Sequence, residues 1–220
     1  MRNRAHRLGL YGGSFDPIHR GHLAPVEDAA AAMGLDEVLF VPACSPPHKP
    51  QGSSASAFHR FAMCALAIEP YPRFRLSDYE AQRGGTTYTV ETLRHVRATH
   101  PESEVFLLLG SDSLATFNTW RSWQEILADH RLVVIYREPW DYAALKEGLP
   151  AEIAARLAPV GARPGDDLPE EATVFWAGNA PVTITSTWIR NAARAGERLD
   201  ESLPPAVEGY LRRQRLYAAP

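Results

Sequence analysis

A chain of 220 residues with a net charge of −3, 45% apolar and 22% charged, has room for one domain, or one with a small appendage. The mildly acidic balance argues against a dedicated nucleic-acid binder, and no apolar run approaches the length of a membrane span. Two cysteines, Cys44 and Cys64, cannot make a disulfide framework, and the basic start Met1 to His6 leads into a strand instead of a signal-type apolar stretch; the expected compartment is the cytoplasm.

The first element is an apolar run from Leu8 that breaks at Gly12-Gly13. Beyond Gly21, apolar residues recur at helical spacing through Leu23, Val26, Ala30 and Met33 until Gly34 ends them. The unit is a strand, a Gly-rich turn and a helix, with His19 and His22 bracketing the helix start. Unpaired backbone N–H groups and the helix dipole favour an anion there. Gly12 and Gly13 leave their amides uncovered, Pro17 stiffens the turn, and two imidazoles can donate to phosphoryl oxygens. Taken singly, a Gly pair is most often a turn and a lone histidine a surface residue; together in this context they point to a phosphate.

Val38 to Val41 is a second strand, so the first crossover predicts a parallel sheet. The following loop holds Pro46-Pro47-His48-Lys49-Pro50, whose prolines fix the backbone around His48 and Lys49. Cys44 beside His48 lacks any orienting third group and is a bystander. Phe58, Phe61, Ala62, Ala65 and Leu66 mark the apolar face of a helix that Pro70 and Pro72 end, with Met63 and Cys64 as packing residues. Phe74 to Leu76 is a short strand. A helix then runs from Tyr88-Thr89-Val90 to near His100, with Thr87 or Thr89 as its cap and Glu91 pointing along it. Val105 to Leu109 is a buried strand closed by Gly110-Ser111-Asp112, where a carboxylate can cap a helix or accept from ribose hydroxyls. Ser122 and Glu125 have capping-box spacing, which predicts a helix over 123–128, with Trp120 in the turn before it and one of Trp120 and Trp123 in the core. Leu132 to Tyr136 and Thr173 to Ala177 are further strands. The stretch from Arg137 to Glu171 is least legible, with one or two short helices, such as one over 151–157, and expected mobility. Ile184-Thr185-Ser186-Thr187 opens a helix that carries Arg190 and ends before Gly196, and Pro204 to Tyr217 is a closing amphipathic helix.

Gly12 to His22 resembles the G-x-F-x-P-x-H-x-G-H signature of the nucleotidylyltransferase superfamily, with Ser14 and Phe15 filling its early positions. The P-P-H-K loop, Y-T-V-E-T-L, G-S-D-S-L, T-W and T-S-T-x-I-R segments follow in order and are similar to those of bacterial nicotinate-nucleotide adenylyltransferases. The resemblance implies a Rossmann-like α/β fold: a doubly wound, mostly parallel sheet with helices on both faces. It implies a single nucleotidyltransferase domain over 1–220, with 180–220 as a small helical subdomain. The implied reaction joins ATP to nicotinate mononucleotide, giving deamido-NAD and pyrophosphate. His19 and His22 would then act at the α-phosphate. Gly12, Gly13, Ser14, Phe15, His48, Lys49, Ile184, Ser186, Thr187 and Arg190 would bind ATP. Tyr88, Thr89, Val90, Gly110, Asp112, Trp120 and Arg121 would bind the mononucleotide. Arg121 departs from the aromatic residue frequent in relatives.

The implied mechanism needs no protein nucleophile, because the mononucleotide phosphate is already ionised, and no protein metal site, because Mg2+ would travel mainly on ATP. No nucleic-acid or membrane partner is expected, and homo-oligomerisation stays open. Rival readings are nicotinamide mononucleotide or dual specificity, phosphopantetheine as acceptor, a phosphoesterase with a metal on Asp16, His19 and His22, and a non-catalytic nucleotide-binding module.

Overall fold

The computed structural model describes residues 4–45, 55–160, 173–180 and 182–218. His48 and Lys49, and the 161–172 part of the stretch expected to be mobile, lie outside them. The chain runs β1 (His6–Gly13), α1 (Arg20–Met33), β2 (Glu37–Pro42), α2 (Ala57–Ile68), β3 (Phe74–Leu76), α3 (Tyr79–Arg83) and α4 (Thr89–Thr99). It continues with β4 (Ser103–Gly110), α5 (Ser111–Leu114), a 3-10 turn (Phe117–Thr119), α6 (Trp123–Asp129) and β5 (Arg131–Ile135). Then come α7 (Tyr142–Gly148), α8 (Ala151–Ala154), β6 (Leu157–Pro159), β7 (Val174–Trp176), α9 (Ser186–Ala195) and α10 (Pro205–Arg213).

The strands form one seven-stranded parallel sheet in the order β3-β2-β1-β4-β5-β7-β6. In register, Leu8 lies opposite Val105, Leu107 opposite Leu132, and Val133 opposite Phe175. The central strands are buried on both faces, which is why Leu8–Leu10 and Val105–Leu109 read as unbroken apolar runs and not as alternation. The strand order reverses between β1 and β4, and with right-handed crossovers this puts helices on both faces. Among the described residues no helix is long and apolar enough to cross a membrane.

Packing divides the chain into two compact units. One comprises Met1–Tyr11, Pro25–Leu39 and Tyr88–Val182; the other comprises Gly12–Ala24, Phe40–Thr87 and Thr183–Pro220. In the second unit α2 meets α10, and His59 Nδ1 lies 2.9 Å from the Tyr210 hydroxyl.

Several expectations are corrected. The buried stripe of α2 is Arg60, Met63, Cys64, Ala67 and Ile68, and Phe58 is 81% exposed. A buried arginine does not look like a core residue, which displaces the apolar face that the sequence suggests. Residues 151–157 do not form one helix: α8 stops at Ala154, and Leu157 opens the edge strand β6. Both Trp120 and Trp123 are only half-buried, while Phe117 takes the core position. Ser122 holds the position ahead of α6 but makes no side-chain cap bond, and its backbone lies in the left-handed region at φ 53°. Its expected partner Glu125 instead takes a two-pronged bond from Arg94, at 2.7 and 2.6 Å. Neither Thr87 nor Thr89 caps α4, which starts after Tyr88. Glu91 does not point along the helix: its carboxylate turns back and accepts the Tyr88 N–H at 3.0 Å.

Candidate active site

In the second unit the turn after β1 is built from the inside outward. A Cβ on Gly13 would come within 2.9 Å of the Phe15 ring, so the glycine is the residue that lets Phe15 fold under the turn. Phe15 itself is fully buried with φ at 47°, a left-handed backbone that a bulky residue holds only when its surroundings enforce it. Its ring meets Phe40 at 5.9 Å on one side and the edge of His22 at 5.3 Å on another. Gly12 lies exposed beside this wedge, and Ser14 is half-buried.

His19 immediately precedes α1, is 3% exposed, and its carbonyl accepts the N–H groups of His22 and Leu23 at 2.8 and 3.3 Å. The two imidazoles lie with centroids 3.7 Å apart. His22, 9% exposed, accepts the His19 backbone N–H at its Nδ1, 3.3 Å away. That bond assigns the tautomer: with Nδ1 accepting, Nε2 carries the proton and is a donor while the ring is neutral. The arrangement can therefore present a hydrogen-bond donor to a phosphoryl oxygen without first taking up a proton.

Two arginines hold the turn, and sequence reasoning found only one of them. Arg60, 1% exposed, donates to the carbonyls of Ser14 at 2.6 Å, Cys44 at 2.8 Å and Ala55 at 3.3 Å. Burial pulls its pKa down and the nearby Asp16 carboxylate pushes it back up. Spacing carries no signal for such a residue; a lone arginine on an otherwise apolar helix stripe is the hint. Arg190 on α9 donates to the Asp16 carbonyl at 2.8 Å and to the Thr187 hydroxyl at 3.1 Å.

The hydroxyls at the start of α9 divide the work. Thr185 caps the helix by accepting the Trp188 N–H at 3.1 Å, Ser186 donates to the Pro17 carbonyl at 3.0 Å, and Thr187 receives Arg190. Ile184 is half-buried just ahead of them. Gly196, at φ 72°, ends the helix as the sequence indicated.

The first unit holds the other predicted group. Tyr88 precedes α4 with 37% of its surface exposed, Thr89 is half-buried and Val90 is core. The Arg121 guanidinium lies over the Tyr88 ring, 4.8 Å from its centroid, and Trp120 rests against Phe117 at 5.4 Å. At the carboxyl end of β4, a Cβ on Gly110 would collide with the Asp112 carboxylate, and Asp112 is exposed. Here sequence reasoning missed Arg137, which follows β5. Its N–H donates to the Ser111 hydroxyl and its carbonyl accepts from that hydroxyl, both at 2.9 Å. Its guanidinium donates to the Tyr11 hydroxyl at 3.1 Å, and the proximity of Tyr11 and of Asp112 raises its pKa. Burial raises that of Tyr11. Its place two residues past the end of a parallel strand is too general a signal to single it out.

A cleft of about 280 Å³ opens among Arg97, Glu104, Asp129, His130 and Arg131 at the amino ends of β4 and β5. Its charges are matched by the pairs Arg97–Asp129, at 3.1 Å, and Arg131–Glu104, at 2.8 Å, and it holds none of the predicted residues. Among the described residues no group of three His, Cys, Asp or Glu side chains is placed to hold a metal ion.

Comparison with known proteins adds sequence and fold relatives. Residues 10–192 match the model of the family described as cytidylyltransferase-like. A Citrifermentans bemidjiense protein named "Probable nicotinate-nucleotide adenylyltransferase" is 36% identical over 96% of this chain and 98% of its own. A Shewanella protein of the same name is 36% identical over 96% and 99%. Among solved structures, a Plasmodium falciparum nicotinic acid mononucleotide adenylyltransferase complexed with NaAD superposes with a TM-score of 0.71, covering 96% of this chain and 97% of its own at 18% identity.

Proposed function

The chain belongs to the cytidylyltransferase-like family, and from that premise we infer that it transfers the adenylyl group of ATP to nicotinate mononucleotide, releasing pyrophosphate and forming deamido-NAD. The near full-length relatives named for this reaction supply the substrates. The geometric observation that carries the chemistry is the buried histidine pair at the start of α1, with His22 fixed as an Nε2 donor.

The mononucleotide phosphate oxygen forms the new bond to the α-phosphorus of ATP, and the bond from that phosphorus to the bridging oxygen of pyrophosphate breaks. The attacking oxygen is ionised at neutral pH, so the protein need only position the reactants and stabilise charge on the α-phosphate. We assign that stabilisation to His19 and His22. The α9 N-terminus and Arg190 suit the remaining phosphates, because a guanidinium with two bonds made keeps further donors. His48 and Lys49 are proposed to join them. Tyr88 and Trp120 would hold the pyridine ring, Arg121 its carboxylate, and Asp112 the ribose.

We propose that a magnesium ion would be carried by ATP oxygens and water, as suits a hard cation that keeps several waters. Bound there, the ion would neutralise polyphosphate charge. The phosphoesterase alternative is disfavoured because Asp16, His19 and His22, all among the described residues, are not placed together to hold a metal ion. Asp16 Oδ1 already accepts the Ala55 N–H at 3.1 Å and the Tyr217 hydroxyl at 2.7 Å, and His22 Nδ1 faces a backbone N–H. We propose a cytoplasmic enzyme of NAD biosynthesis. Pyrophosphate release from ATP, measured with nicotinate mononucleotide, nicotinamide mononucleotide and phosphopantetheine in turn, tests the reading. Turnover only with the last would overturn it.

A further inference from the structure

The turn that presents the two histidines is gripped from one side by residues far along the chain in the second unit. Ser186 and Arg190 take the carbonyls of Pro17 and Asp16, and the Ser202 carbonyl accepts the Arg20 N–H at 3.0 Å. These three contacts reach the backbone of the turn. A fourth reaches a side chain, and it comes from the tight turn after α10. There Arg215 and Tyr217 both adopt left-handed backbone, at φ 51° and 60°. Such a conformation is strained for a non-glycine residue and persists only where the surroundings enforce it. The result is that the Tyr217 ring is buried, 9% exposed, and its hydroxyl donates to Asp16 Oδ1 at 2.7 Å. Burial, and then the bond to Asp16, push the phenol pKa upward, so the hydroxyl stays protonated and can only be the donor.

Asp16 is itself 1% exposed and sits three residues before His19. Its Oδ1 also accepts the Ala55 N–H, and Ala55 gives its carbonyl to Arg60. A buried carboxylate stripped of a donor is destabilised where it stands. Reorienting Asp16 would move the turn that carries both imidazoles.

We propose that Tyr217 is a positioning residue for adenylyl transfer: through its hydroxyl bond to Asp16 it latches the turn that holds His19 and His22 at the α-phosphate. The proposal rests on the adenylyl-transfer reading above. A comparison within the same unit separates the latch from general packing, because the half-buried Tyr210 on α10 spends its hydroxyl on His59, at 2.9 Å, and not on Asp16.

The test is Tyr217→Phe, which removes one oxygen and keeps the ring, with Tyr210→Phe alongside. At a temperature where circular dichroism shows both variants folded, Tyr217→Phe should lower kcat roughly tenfold and leave the KM for nicotinate mononucleotide within about twofold, the pattern of a misplaced reacting group. Tyr210→Phe should keep kcat. Amide hydrogen exchange read on the same proteins should show faster exchange at Ala55 in Tyr217→Phe alone. A kcat within twofold of the parent in folded Tyr217→Phe, an equal loss in Tyr210→Phe, or unchanged exchange at Ala55 each overturns the latch. If the parent protein forms no deamido-NAD, the functional reading falls by itself, and exchange at Ala55 still decides the latch.

Discussion

The turn of Gly12 to His22 and the region around Tyr88, Asp112 and Arg121 are built on opposite plans. In the turn, the side chains that fix geometry are buried or half-buried and end on backbone carbonyls, as Arg60 does three times and Ser186 and Arg190 once each. In the other region the predicted contacts are side chains at the surface: Tyr88 stands partly exposed, Arg121 lies on its ring, and Asp112 is open to solvent. The difference follows from what each has to do. A phosphoryl transfer loses rate steeply when its donors are misplaced by an ångström, so donors belong on a backbone locked from beneath. Choosing a ring and its carboxylate is a matter of differential affinity, which exposed side chains can supply and tune.

Breaking the locked plan at its base should have the largest effect. Arg60→Met fills similar volume but leaves the carbonyls of Ser14, Cys44 and Ala55 without their donor and the Asp16 carboxylate without its neighbouring cation. The expected loss is about 3–5 kcal/mol of stability, as for removing one partner of a buried charge pair. Urea unfolding checks it; a loss under about 1 kcal/mol would mean that water or nearby side chains satisfy those carbonyls, and that the turn is not locked from Arg60.

His22→Ala comes next and addresses function with the scaffold kept. Removing one preorganised donor should lower kcat roughly a hundredfold, about 2.7 kcal/mol of transition-state stabilisation, with circular dichroism unchanged. Near-normal turnover in the folded variant would strip His22 of its role. A stability loss with proportionate inactivation would make it a packing residue beside Phe15.

These two residues also show what a sequence discloses. The strand, turn and helix start that carry His22 were legible because glycines, a proline and two histidines fall at fixed offsets there. The same logic placed Asp112 and the start of α9, since turn and cap chemistry is written locally. Arg60 and Arg137 were not legible, because their importance lies in long-range partners: Arg60 reaches back to Ser14, and Arg137 to Tyr11. Burying an arginine also shifted the apparent face of α2, leaving Phe58 exposed where the pattern put it inside. Long central strands were clear from their apolar runs, whereas β6, three residues at a sheet edge, carries too little pattern to distinguish from a helix end.

Arg121→Ala tests the tunable plan. With its guanidinium over Tyr88, Arg121 adds a cation beside the ring proposed to clamp nicotinate, and Glu91, the nearest carboxylate in that segment, is turned to the Tyr88 N–H. The ratio of kcat/KM for the acid mononucleotide over the amide should fall about tenfold, near 1.4 kcal/mol, through loss with the acid. Side-by-side kinetics read it. An unchanged ratio would place selectivity in the α4 N-terminus instead.

The smallest effect concerns backbone in that same region. Ser122 follows Arg121 and sits at φ 53°, with no cap bond from its side chain. A serine in this conformation is strained while glycine is not, though glycine also has more freedom to lose on folding. Ser122→Gly should therefore raise stability by about 0.5 kcal/mol, the scale of conformationally compatible backbone changes, and Ser122→Ala should be close to neutral, since alanine meets the same left-handed restriction. The capping-box reading predicts a different order: alanine would cost about 1 kcal/mol and glycine a few tenths, because a cap is lost in both. Thermal melts of the two variants separate the readings by sign. A rise with glycine would show that the segment carrying Trp120 and Arg121 is held by its packing against the cost of its own backbone, so that even the exposed region has one rigid point. A fall with both would return Ser122 to the ordinary role its spacing from Glu125 suggested, and the contrast between the two regions would be complete.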